Sequence, residues 1–201
     1  VTPKGNLFLQ HESQFRPWEH GFWLGTHYAA YGVGHNTELD LTLFNVSSPP
    51  SNNVTLGTGF KSAIPIPYLK GKYPKREFKI TVGSEVLSSL EGQGAGNWSY
   101  SHLSGRVPVA NTRLTAGVSY GTKDIFGVNT TCFIGAIEQP VTKKFNIFAV
   151  WFSGDEHFAG FLISGFSYQL PKNISLYTGF QIPNSSKNGK SGFVVELAKI
   201  F

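Results

Sequence analysis

Apolar and polar residues alternate one for one through most of this chain. In REFKITVGSEV, Phe78, Ile80, Val82 and Val86 share one face, and Lys79, Thr81, Gly83 and Glu85 share the other. In NVTLGTGFKS, Val54, Leu56 and Phe60 oppose Thr55, Gly57, Gly59 and Lys61. In TELDLTLF, Leu39, Leu41 and Leu43 oppose Glu38, Asp40 and Thr42, and TRLTAGVSYG and NISLYTGFQIP repeat the theme. A period of two marks strands that keep one face in an apolar environment and one in a polar one. It predicts about twelve strands, near residues 6–14, 21–33, 38–47, 53–64, 77–87, 97–107, 112–122, 130–140, 145–153, 157–170, 173–183 and 192–201. KFNIFAVWF and HFAGFLISGF are apolar on both faces. These two predict strands buried on both sides, or strands carrying bulges.

The connections fall into two classes. GHNT, VANT, VTKKF and LPKNI are short, and they alternate with FRPWEHG, SSPPSNN, LEGQGAGN, KDIFGVN and SSKNGKS, which are rich in Gly, Asn or Ser. KGKYPKR breaks the pattern by being longer. Tight and loose turns in alternation predict an all-β, up-and-down antiparallel sheet, a single domain over residues 1–201, with both termini on one side.

A soluble sandwich would alternate in the same way, and four features favour a closed transmembrane β-barrel instead. Spans of about 9–11 residues match a tilted bilayer crossing. The polar faces are rich in Gly, Ser and Thr, and charged residues make up 14% of the chain, against about 25% in ordinary soluble proteins. Aromatics gather near the expected strand ends (Trp18, Phe22, Trp23, Tyr28, Tyr31, Tyr68, Tyr73, Trp98, Tyr100, Trp151, Phe152 and Tyr168) as candidate interfacial girdles. Closure also removes the exposed edges of a meander. No apolar run approaches the roughly 20 residues of a membrane helix.

The last segment, SGFVVELAKIF, places Phe193, Val195, Leu197 and Phe201 on one face, with Lys199 among them. It resembles the C-terminal signal of bacterial outer-membrane β-barrel proteins, in which a final strand ends on Phe; that resemblance implies that Phe201 is read by the assembly machinery. Lys199 departs from that pattern, and Phe193, Leu197 and Phe201, four apart, also fit a helix. YGVGHNTELDLTLF and SYQLPKNISLYTGF resemble the periplasmic hairpins of porin-like channel proteins. The resemblance implies location in the bacterial outer membrane and a porin-like channel for small solutes, or else a structural envelope barrel. The implied partners are outer-membrane lipid, small solutes, and other envelope proteins or further copies of the chain. In such a barrel the polar faces line the lumen, which places Gln10, His27, Asp40, Lys61, Lys79, Glu85, Tyr177, Gln181 and Glu196 there. Their signs are mixed, so no strong ion selectivity is expected. The alternative is that they pair with one another and fill the interior.

Two His-x-Ser triplets compete as enzyme signals: His11 and Ser13 in QHESQFR, and His102 and Ser104 in YSHLSGR. Both resemble the His-x-Ser signature of outer-membrane phospholipase A and of the lipid A deacylases, whose Ser nucleophile and His base lie on the outer surface of a barrel. Residues i and i+2 of a strand share a face, so a base is able to stand beside a nucleophile. The first triplet shares a face with Leu7 and Leu9, on a strand running toward the outer leaflet. The second is read as outward with Trp98 and Tyr100, with Ser104 near the periplasmic end. Glu12 and Glu19 are the nearby acids, neither at the family spacing, so no catalytic set is favoured.

The remaining signals add little. Cys132 is the lone cysteine, which excludes an internal disulfide. Sequons at Asn45, Asn53, Asn97, Asn129, Asn173 and Asn184 would suit a glycosylated, soluble secreted β-sandwich that binds a ligand. Asn-rich turns beside Ser/Thr-rich strands produce them equally well. The net charge of +5 is modest, and no nucleic-acid partner is expected. Lys70, Lys72, Lys75, Arg76 and Lys79 form a basic stretch, read as a solvated turn or a contact with anionic head groups. No zinc spacing, P-loop or dinucleotide fingerprint is present, so neither cofactor nor metal is expected. The chain opens VTPKGN and contains no Met, as a processed mature form would.

Overall fold

The computed structural model describes residues 1–18, 22–48, 50, 54–67, 69, 77–92, 94–108, 110–123, 131–154, 160–186 and 189–201. Glu19, Asn53, Tyr68, Lys70, Lys72, Tyr73, Lys75, Arg76 and Asn129 lie outside the described residues.

Twelve strands run in order: β1 (Leu7–Arg16), β2 (Phe22–Gly34), β3 (Thr37–Ser48), β4 (Thr55–Pro65), β5 (Lys79–Ser89), β6 (Ala95–Arg106), β7 (Arg113–Gly121), β8 (Thr131–Pro140), β9 (Phe145–Ser153), β10 (Gly160–Leu170), β11 (Ile174–Pro183) and β12 (Gly192–Ile200). Each pairs antiparallel with the next, and β12 returns to β1, so the sheet is a closed up-and-down barrel. All twelve expected strands are present, with ends shifted mostly by one or two residues. Among the described residues no helix is long and apolar enough to cross a membrane.

The short turns lie at the end that carries the termini, where the Phe201 amide donates to the Leu7 carbonyl at 2.8 Å. Their chemistry is local. His35 and Asn36 have φ of 50° and 56°, and Lys172 and Asn173 have 60° and 57°. Two consecutive left-handed residues give a turn whose twist matches the flanking strands, and Asn tolerates that conformation.

The side-chain period of two assigns every strand position to lipid or lumen. Leu39, Leu41, Phe60, Val86, Leu103, Phe133, Ile147, Trp151 and Leu197 are all exposed on the outer face. Against them, the inward positions of β3 to β5 are closed off: Glu38 is 1% exposed, Thr42 2% and Glu85 5%. This inversion, apolar outside and polar inside, is the pattern of a transmembrane barrel.

Among the described residues, the segments that are apolar on both faces contain no bulge: β9 pairs with β8 and β10, and β10 with β11, in continuous register. Phe145, Ile147, Ala149 and Trp151 face outward, and Phe148, Val150 and Phe152 face the lumen, where Phe161 and Ile163 of β10 join them. The register shifts fall instead between β2 and β3, at Gly25/His27 and Gly32/Gly34.

Residues 192–200 form a strand, so the helical alternative for the C-terminus is excluded. Lys199 keeps the outward parity by laying its ammonium 4.0 Å from the centre of the Phe201 ring. The long stem lies along the apolar face while the charge reaches the barrel end. The aromatic girdle needs correction. Trp23, Tyr31, Trp151 and Tyr168 stand on the outer face, whereas Tyr28, Trp98, Tyr100 and Phe152 point into the lumen.

Candidate functional site: the barrel lumen

The lumen is lined differently on its two sides. On β2 to β6 it is a packed polar wall. Glu38 of β3 pairs with Lys61 of β4, its register partner, and accepts from the backbone amide of Thr2. The Tyr28 hydroxyl donates to Glu38 Oε1 at 3.0 Å and approaches Asp40 Oδ2 at 3.5 Å. Glycines make room for these side chains. A Cβ at Gly83 would lie 2.3 Å from the Tyr100 ring, and one at Gly59 would lie 2.9 Å from Cγ of Glu85. Tyr100 and Glu85 therefore lie against the wall, each over a glycine of the neighbouring strand.

The opposite side is open. A cavity of about 730 Å³ lies between the apolar wall of β8 to β10 (Ala136, Phe148, Val150, Phe152, Phe161 and Ile163) and a polar rim that includes Glu12, Gln14, Thr26, Trp98, Tyr177 and Glu196. Glu12 and Glu196 are register partners across the seam that closes the barrel, and Tyr177 is the partner of Glu196 on the other side. Gln14 Nε2 donates to Glu12 Oε1 at 2.8 Å.

Bases gather at the short-turn end. Glu77 Oε2 accepts from Arg106 Nε at 2.9 Å and from Arg113 Nη2 at 3.0 Å. The Arg106 hydrogen bond, with the charges of both guanidiniums, holds the Glu77 carboxyl below its usual range despite some desolvation. Lys79 faces the lumen on the strand that follows Glu77. The signs are mixed along the lumen: Arg106, Arg113 and Lys79 stand near the short-turn end with Glu77 and Glu138, Lys61 pairs with Glu38, and Glu12, Asp40, Glu85 and Glu196 lie further in.

Eight of the nine residues expected in the lumen occupy inward positions: Gln10, Asp40, Lys61, Lys79, Glu85, Tyr177, Gln181 and Glu196. His27 does not. It lies on the outer face, its Nδ1 3.3 Å from Nδ1 of His11, because β2 shares parity with β1 through the pair His11↔His27. Expecting both a lumen His27 and an outer His11 contradicted that pairing, which the sequence alone does not show.

The two His-x-Ser triplets also separate. His102 and Ser104 share a face with Trp98 and Tyr100 as expected, but that face is the lumen. Leu103 between them is the lipid-exposed residue, and Ser104 is buried. They are therefore not a pair on the outer surface. His11 and Ser13 are outward, and His11 Nε2 lies 2.8 Å from Ser13 Oγ. Ser13 Oγ also accepts the indole N–H of Trp23 at 3.0 Å, and the serine is buried beneath that ring. The second ring nitrogen of His11 meets His27 and no carboxylate; Glu12 points the other way, into the cavity. The geometry is a hydrogen-bonded cluster that satisfies polar groups on a lipid-facing wall, and among the described residues no carboxylate orients His11 as a catalytic base would require.

Glu12, Glu138, Trp98, Arg106 and Arg113 were absent from the sequence-derived lumen set. Parity would have found Glu12, since it alternates with the outward His11 and Ser13. Arg106 and Arg113 gave no such signal, because they stand at strand ends beside a turn.

Two of the sequon asparagines brace neighbouring strands. Asn97 Nδ2 donates to Ser84 Oγ at 2.8 Å and to the Glu85 carbonyl at 3.0 Å. Asn184 Nδ2 donates to the carbonyls of Phe152 and Gly154.

A closed twelve-strand barrel, apolar outside and with ionisable groups inside, is the fold of the outer-membrane porins. No protein-family model and no curated protein sequence matches the chain. Solved structures do. The KdgM porin is 13% identical with a TM-score of 0.60, over 98% of this chain and 99% of that one. The NanC porin is 12% identical with a TM-score of 0.55, over 96% and 98%. The Acinetobacter baumannii outer membrane protein Omp33 is 10% identical with a TM-score of 0.57, over 100% and 99%. At these identities the likeness is one of fold.

Proposed function

We propose that this protein is a porin-like channel of the bacterial outer membrane that passes small solutes. The observation that carries the reading is the cavity of about 730 Å³ inside a closed barrel, with an apolar aromatic wall facing Glu12, Tyr177 and Glu196. Such a lumen offers a solute both a face to slide on and groups to hydrogen-bond. The KdgM porin, of the same fold, has been captured in complex with disordered oligogalacturonate; this supports a small-solute ligand here without naming it. Outer-membrane lipid surrounds the apolar belt.

The test is conductance of the purified barrel in planar bilayers. Discrete steps are expected, and Val150→Trp, which fills the cavity from its apolar wall, is expected to lower the step size. Silent bilayers from protein that still migrates as a folded barrel in unboiled SDS would overturn the reading.

A further inference from the structure

Four oxygen atoms of the polar wall have no partner among the described residues; one, Ser104 Oγ, lies apart on β6, and the other three lie on β3 and β5. Asp40 Oδ1, Thr42 Oγ1 and Glu85 Oε2 are buried and make no hydrogen bond among the described residues. Their residues are 6%, 2% and 5% exposed. A buried oxygen without a partner is costly, so each such atom needs a reason.

Register brings all three to one stretch of the wall. Asp40 and Thr42 are successive inward residues of β3. Their register partners on β4 are Gly59 and Gly57. Gly59 is in turn the partner of Glu85 on β5. The Glu85 side chain folds back over this glycine floor: a Cβ at Gly57 would lie 2.8 Å from Glu85 Oε2. That oxygen is thereby carried toward β3, to the level of Thr42. The two glycines leave a cradle that any other residue would fill.

The charge is unbalanced at the same place. Among the described residues, the side-chain cation that Glu38, Asp40 and Glu85 face is Lys61, the next inward residue of β4, which pairs with Glu38; the Val1 ammonium also lies within electrostatic reach of Glu38. Where β4 presents a lysine, the carboxylate above it is neutralised. Where β4 presents glycines, two carboxylates and a hydroxyl are left with nothing between them. Carboxylate and hydroxyl oxygens are hard donors, of the kind that bind calcium in irregular geometry with water completing the shell.

We propose that Asp40, Thr42 and Glu85 form a binding site for a hard divalent cation of the calcium class on the glycine floor of β4. The cation would cross-link β3 to β5 over β4, in the way Lys61 links to Glu38.

The experiment uses the full chain refolded in detergent and stripped of divalent ions. Tb³⁺ serves as a luminescent calcium probe, excited through tyrosine, since the Tyr28 hydroxyl is 3.5 Å from Asp40. The expected result is saturable, tyrosine-sensitised emission at one ion per barrel, displaced by Ca²⁺, and a rise in the temperature at which the unboiled SDS band converts. Asp40→Asn and Glu85→Gln should each weaken binding by about tenfold or more, because affinity follows ligand charge. Gly57→Ala, which fills the cradle without removing a ligand, should weaken it too. Glu91→Gln, in a distant turn, should bind as wild type. Absence of displaceable emission from folded wild-type protein would overturn the site; so would binding that survives Asp40→Asn and Glu85→Gln. The first of those outcomes also covers a pair of carboxyls that are protonated and need no ion.

Discussion

The two sides of the lumen solve one problem in opposite ways. On β2 to β6 the barrel buries charge. Glu38 pairs with Lys61, the Tyr28 hydroxyl reaches Glu38 and Asp40, and Glu85 lies over Gly57 and Gly59. On β8 to β10 the inward residues are Phe148, Val150, Phe152, Phe161 and Ile163, and the space in front of them is open. A cavity bounded by apolar side chains stays open because those groups offer nothing to pull a neighbour across. On the polar wall Lys61 and the Tyr28 hydroxyl draw Glu38 and Asp40 against the barrel. The packed side supplies rigidity, and the open side supplies room. The comparison explains why strands with two apolar faces are stable here: one face meets lipid, and the other meets the cavity instead of a polar counterpart.

The largest expected effect comes from breaking the packed side. Lys61→Met strands Glu38, which is 1% exposed, and should cost about 3 kcal/mol, the scale for leaving a buried charge unpaired. Thermal conversion of the unboiled SDS band would move down accordingly, and adding Glu38→Gln should recover most of the loss. An unchanged midpoint for Lys61→Met would mean that water reaches Glu38, and the wall is not packed.

Next comes Gly59→Ala. Its Cβ would meet the Ser84 carbonyl oxygen at 2.0 Å and Glu85 Cα at 2.8 Å, both backbone. Strands β4 and β5 would have to part, at about 1–3 kcal/mol for overpacking. Urea denaturation of the refolded barrel measures it.

The matching change on the open side is Val150→Phe. It adds volume where there is space, so stability should change by less than about 1.5 kcal/mol, while the conductance step shrinks. A large stability loss here, equal to that of Gly59→Ala, would erase the distinction between the two sides.

The smallest effect concerns the mouth. Glu77 is held below the usual carboxylate range by Arg106 and Arg113, so its folded pKa is depressed. Its contribution is full above the ordinary carboxylate pKa and is lost as pH falls through the lower, folded value. Its side chain is 53% exposed, so the pair is worth at most about 1 kcal/mol. Glu77→Gln should be slightly less stable than wild type at neutral pH, and the gap should close in acid.

The sequence by itself determined the strands and their up-and-down order. Alternation is a local property: each Phe78-Lys79-Ile80-Thr81 step states its own two faces, and Asn36 and Asn173 state their own turns. It also separated Asp40, Lys61 and Glu85 from their apolar neighbours. Only the tertiary structure decided what lies opposite what. His27 was assigned inward and His102 with Ser104 outward, because the period of two gives two faces without saying which one meets lipid. Pairing with β1 settled the first, through His11↔His27. The exposure of Leu103 settled the second. The segregation of the lumen into a packed polar wall and an open apolar one was likewise invisible. It depends on side chains that start on different strands and meet across glycines, and register between strands is fixed by closure of the whole barrel, a constraint no local stretch carries.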